Sequence, residues 1–132
     1  MHTINYLTPD APEPAGRYAQ AAERGGIIAV AGQVGISPIT GQIIRGVEGQ
    51  IRQAMDNLVT VLAASGSSLE EVVQIRAYLT DPDAITVFNL VYEEYVTGET
   101  VPARATVCAA LTHPHLKFEI EALAVRTAQS IE

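Results

Sequence analysis

An arginine at the head of an apolar run is the first place in this sequence where chemistry can be read. Arg104 is followed by Ala105, Val107, Cys108, Ala109, Ala110 and Leu111, with no acid among them. A guanidinium buried unpaired in such a run is very costly, so Arg104 needs a partner. A second run, Leu116 to Val125, carries Glu119 and Glu121 on one face. On neighbouring strands, these side chains allow two readings. One is a structural ion pair. The other is a small-anion site, in which the arginine fork grips a carboxylate and an acid beside it handles water.

Other constellations carry less. His113 and His115 flank Pro114 and read as a turn before the last strand rather than as a metal pair. The single cysteine, Cys108, excludes an internal disulfide and reads as a small core residue among Val107, Ala109 and Ala110. There is no P-loop, no dinucleotide fingerprint and no nucleophile elbow.

The elements that must hold Arg104 and Glu119 belong to a chain of 132 residues, read as one domain over 1–132 with enough length to bury a core. Apolar residues make up 48%, which argues against disorder. No apolar run reaches the ~20 residues of a membrane span, and no signal pattern opens the chain, so a cytoplasmic protein without a membrane partner is expected. Fifteen acids against eight bases give a net charge of −7, the wrong sign for a nucleic-acid partner.

The first fifteen residues, rich in proline, read as a looped lead-in. Tyr18 to Glu23 and Ile27 to Ala31 read as strands joined by a Gly25-Gly26 turn. Val47 to Ala64 has helical spacing and a stop at Gly66; Ser68 and Glu71 resemble a capping box. Val72 to Leu79 reads as a strand. Asp81-Pro82 opens a second helix with an apolar stripe of Ile85, Phe88, Tyr92, Tyr95 and Val96, inside which lies Asn89. The order ββ-α-β-α-ββ predicts an α+β fold, one sheet with both helices on one face. Strands 27–31 and 107–111 are apolar on both faces, yet two helices cover only one. A second copy of the chain is the simplest cover for the other, with Arg104 and Glu119 near that interface.

Several local patterns coincide in order. Gly16-Arg17-Tyr18-Ala19-Gln20-Ala21, Ala31-Gly32-Gln33, Pro38-x-x-Gly41, Gln53-x-x-x-Asn57-Leu58, Asn89-x-x-Tyr92-x-x-Tyr95, Pro102-Ala103-Arg104 and Glu119-Ile120-Glu121-Ala122-Leu123-Ala124 span nearly the whole length. Together they resemble the Rid/YjgF family of reactive-intermediate (imine) deaminases. The resemblance implies a chorismate-mutase-like α+β fold, one mixed sheet with two helices on one face, and a homotrimer with sites between subunits. It implies hydrolysis of 2-imino acids or their enamines, such as 2-aminoacrylate, 2-iminopropanoate and 2-iminobutanoate, to 2-oxo acids and ammonia without a cofactor. Carried over by position, it makes Arg104 the carboxylate holder and Glu119 the acid that positions water. Tyr18, Ala31, Gly32, Asn89 and Thr106 fall on substrate-binding positions.

The sequence departs from the family pattern at Ala31, where serine is usual, at Thr106, where cysteine is usual, at Arg17, and where Leu111-Thr112-His113-Pro114 interrupts a Leu-Pro pair. These changes leave open a non-catalytic carboxylate-binding member and a specialised deaminase of the aminomuconate type. A ribonuclease or translation inhibitor fits the acidic charge poorly.

Overall fold

The computed structural model describes residues 2–128. Six strands form one mixed sheet: β1 (Ile4–Tyr6), β2 (Ala21–Arg24), β3 (Ile27–Val34), β4 (Val72–Leu79), β5 (Ala103–Cys108) and β6 (Phe118–Val125). The spatial order is β1-β2-β3-β6-β4-β5. Neighbours are antiparallel except β4 and β5, which run parallel because helix α2 (Ile85–Tyr95) carries the chain back between them. Helix α1 (Val47–Ala64) packs on β3, β6 and α2.

The α+β arrangement, with one mixed sheet and two helices on one face, is the one the sequence predicts. The inner face carries Ile28, Val30, Ile75, Ala77, Leu79, Phe118, Ile120 and Ala124. They meet Ile51, Met55, Leu58 and Leu62 of α1 and Phe88 and Val91 of α2 in one buried cluster. The glycine pair turns β2 into β3 through positive φ at Gly25 and Gly26. Gly66, with φ of 85°, follows α1 as its stop.

Three details differ from expectation. The lead-in holds a strand, β1, which pairs with β2. Its three residues are too few to show a period. Tyr18 lies ahead of β2 rather than on it. Ser68 precedes a short 3-10 turn, Leu69–Glu71, but its side chain makes no capping bond.

Buried amides tie the ends of these elements together. Gln20 donates to the carbonyls of Thr8, Ala11 and Pro12 and accepts from the Thr8 N–H, closing the lead-in onto the sheet. Gln50 donates to the His115 carbonyl at 2.9 Å and accepts from the Lys117 N–H at 2.7 Å. Asn57 donates to the carbonyls of Val34 and Ile36, both at 3.0 Å. At the far side of the sheet, Glu23 accepts from Arg126 and from Tyr6 Oη. That pairing, with Arg126 first, holds its carboxyl down to about 2.

Candidate active site

Strand β4 separates the two strands that carry the candidate chemistry, which corrects the expectation that they are neighbours. Arg104 pairs in register with Ile75 of β4, whereas Glu119 pairs with Tyr78. Ile75 and Tyr78 are three apart on a strand, so they point to opposite faces. Arg104 therefore lies on the helix face and Glu119 on the open face. Within one chain they form neither an ion pair nor a common site, so a structural ion pair between them, like a shared site, would need a second copy of the chain.

Arg104 has a different set of partners. Its Nη2 donates to Asn89 Oδ1 of α2 at 2.7 Å. Its Cζ sits 4.8 Å from the ring centroids of both Phe88 and Tyr92. Phe88 and Tyr92 are one helical turn apart and meet edge to face, with centroids 5.5 Å apart. Phe88 is fully buried and packs on Phe118, so the shelf is anchored in the core. Thr106, half-buried, is in register with Ala77 and so shares the face of Arg104. Arg52 and Arg126 stand in ion pairs, whereas Arg104 has no carboxylate against it among the described residues. The guanidinium is exposed at the sheet edge.

A second group gathers around Glu119. The register of β3 against β6 shifts between Val30 and Gln33, which leaves Ala31 and Gly32 in a bulge. A β-bulge bends the strand and opens room beside the ladder. The Glu119 carboxyl fills that room: a Cβ added at Gly32 would lie 2.8 Å from Glu119 Cδ. Burial, and then the charge of Glu121, push the Glu119 carboxyl above the ordinary 4.5. Glu121 itself accepts a hydrogen bond from Tyr78 Oη and stands opposite Arg76. Ala31 donates its N–H to the Gln20 carbonyl at 2.9 Å, which ties the bulge to the loop bearing Tyr18. Tyr18 is exposed and accepts from the Ala15 N–H, and it lines an open groove of about 630 Å³ with Leu7, Thr8, Gln20 and Pro38.

The seven candidate positions thus fall into two sets. Asn89, Arg104 and Thr106 belong to α2 and β5; Ala31, Gly32 and Glu119 lie at the bulge, with Tyr18 in the adjoining loop. Phe88, Tyr92 and Tyr78 join them. The spacing Phe88, Asn89, Tyr92 was visible in the sequence, but as an apolar stripe rather than as a cradle. Cys108 is exposed at the end of the edge strand, not a core residue, because β5 has a neighbour on one side only. Among the described residues, no group of three His, Cys, Asp or Glu side chains is placed to hold a metal ion.

The open face carries exposed apolar side chains. Ile27, Val107, Leu123 and Val125 are 55%, 47%, 37% and 39% accessible in the single chain. A surface of this kind, running beside Glu119 and up to the edge strand, is what a contact with another copy would cover.

Comparisons with known proteins agree on one group. Residues 8–126 match the family model described as Endoribonuclease L-PSP. A RutC family protein of Pyrococcus horikoshii is 39% identical over 121 residues, covering 91% of this chain and 95% of its own. The 2-iminobutanoate/2-iminopropanoate deaminase of Escherichia coli K12 is 34% identical, covering 90% and 94%. Among solved structures, Escherichia coli TdcF with bound serine superposes with a TM-score of 0.87 at 30% identity, covering 94% and 99%.

Proposed function

The chain belongs to the Rid/YjgF family, and from that premise we propose that it hydrolyses small 2-imino acids and their enamine tautomers to 2-oxo acids and ammonia. The observation that carries the proposal is an arginine held by an amide oxygen rather than a carboxylate, together with a half-buried glutamate of raised pKa on the other face of the sheet. The name and the 34% identity of the Escherichia coli deaminase support the same reading.

Arg104 grips the substrate carboxylate through its free N–H groups, in a fork that lysine cannot copy. An iminium carbon is already electrophilic, so water placed beside it needs only a proton acceptor. Glu119 takes a proton as the water oxygen bonds to carbon, which gives a carbinolamine. Protonated Glu119 then returns that proton to nitrogen. The C–N bond breaks, ammonia leaves, and the hydroxyl proton is lost as the carbonyl forms. A carboxyl with a pKa raised by burial suits both halves of this exchange. Tyr18, Ala31, Gly32 and Thr106 shape the space around the ligand.

Because Arg104 and Glu119 face opposite ways, the site requires two copies of the chain, Arg104 from one and Glu119 from the other. The exposed apolar face beside Glu119 supports this, and the proposed assembly is a homotrimer. Its substrates are the 2-iminopropanoate and 2-iminobutanoate released, with their enamines, by dehydratases acting on serine and threonine. The −7 charge opposes the ribonuclease reading suggested by the family model's description.

The test is a coupled assay in which a threonine dehydratase generates the imine. Added wild-type protein should speed formation of 2-oxobutanoate. Arg104→Ala, still folded and assembled, should lose the acceleration; equal rates for the two would overturn the assignment.

A further inference from the structure

We propose that α2 holds Arg104 with neutral groups alone, so that the guanidinium is oriented without being discharged; Asn89, Phe88 and Tyr92 are positioning residues, and Asn89 acts through Arg104. The inference rests on the reading of Arg104 as a carboxylate clamp, and it names what tunes that clamp.

The molecule supplies its own contrast. Arg52 is paired with Glu48 at 3.2 Å and Glu94 at 2.5 Å, and Arg126 is paired with Glu23. Each has a carboxylate against it, and a guanidinium so paired attracts a further anion only weakly, because the pair presents little net charge. Arg104 receives one amide oxygen and two ring faces instead. Both ring centroids lie within the ~6 Å over which a cation is attracted to a π face. These contacts fix the plane of the guanidinium and leave its charge and most of its N–H groups for a ligand.

The placement follows from helix geometry. Positions 88 and 92 stack on one face of α2, and position 89 lies beside them, so one short segment supplies both the shelf and the acceptor. The core fixes the shelf, since Phe88 is fully buried against Phe118. Tyr92 Oη is buried and has no hydrogen-bond partner among the described residues, and burial raises its pKa, so this ring too stays uncharged. A merely structural role for position 89 would be served better by aspartate, which is the same size and accepts more strongly from an arginine. Here the stronger acceptor should be harmful, because it cancels the charge that the ligand needs.

The test is calorimetric binding of 2-oxobutanoate to the whole protein, with thermal melting to show that each variant is folded. Asn89→Ala should weaken binding by about threefold through lost orientation, and Asn89→Asp by tenfold or more despite a melting temperature at or above that of wild type. Tyr92→Leu should weaken binding by about 3–10-fold, and Tyr92→Phe, which keeps the ring, should restore most of that loss. Binding by Asn89→Asp equal to or tighter than by Asn89→Ala would overturn the inference. So would wild-type protein that fails to bind 2-oxobutanoate. A protein that binds in this pattern yet never accelerates imine hydrolysis would sink the deaminase reading alone and leave the neutral cradle standing.

Discussion

At Glu119 the structure sets two influences in the same direction. Burial beside the Gly32 bulge is the larger, and the charge of Glu121 on the same face is the smaller; both favour the protonated acid. As pH falls through this raised value, Glu119 is protonated and stops accepting a proton from water. The acidic limb of kcat/KM should therefore lie above the ordinary 4.5 of a glutamate. Glu121→Gln removes one of the two influences, so the limb should move to lower pH. A kcat/KM profile in which the limb stays in place would show that Glu121 does not act on Glu119. The residue types here were legible in the sequence: a guanidinium in an apolar run, and two acids on one strand face. Their partners were not. Adjacency along the chain put Arg104 and Glu119 on neighbouring strands, as an ion pair or as a shared anion site. The sheet order inserts β4 between their strands, and only that order shows that Asn89 is the group against Arg104.

At the scale of elements, the bulge and the helix above it depend on how closely α1 approaches β3. A Cβ at Gly35 would lie 2.5 Å from the Cα of Gln50, and Gln50 is the residue that bonds the entry to β6. Gly35→Ala must push α1 away from the sheet. Overpacking of this kind costs about 1–3 kcal/mol, so a fall of that size in unfolding free energy by urea titration is expected. Wild-type stability would show that α1 can shift at no cost. Periodicity gave both helices and the long strands, because each buries one face and repeats long enough to show it. It missed β1, which has only three residues, and it could not see that Gln20, Gln50 and Asn57 are brackets. A buried amide is placed by the carbonyls it satisfies, and those lie far away in sequence.

At the scale of the whole molecule, two facts point the same way. The sheet has helices on one face only, and the other carries exposed Ile27, Val107, Leu123 and Val125. The two candidate catalytic groups also lie on opposite faces of that sheet. The sequence foresaw the first, because strands apolar on both faces demand a second cover. The second needed the register. A closed assembly of identical copies joins one surface of each chain to another, and the proposed homotrimer would in this way set Arg104 of one copy against Glu119 of the next. The most direct test mixes two inactive variants, Arg104→Ala and Glu119→Gln, after unfolding and joint refolding. Random assembly places an intact Arg104 opposite an intact Glu119 at about one quarter of the interfaces. Recovery of imine hydrolysis to roughly that fraction of wild type is the predicted result. Mixed assemblies, verified by mass spectrometry, that remain as inactive as either parent would contradict a site shared between copies.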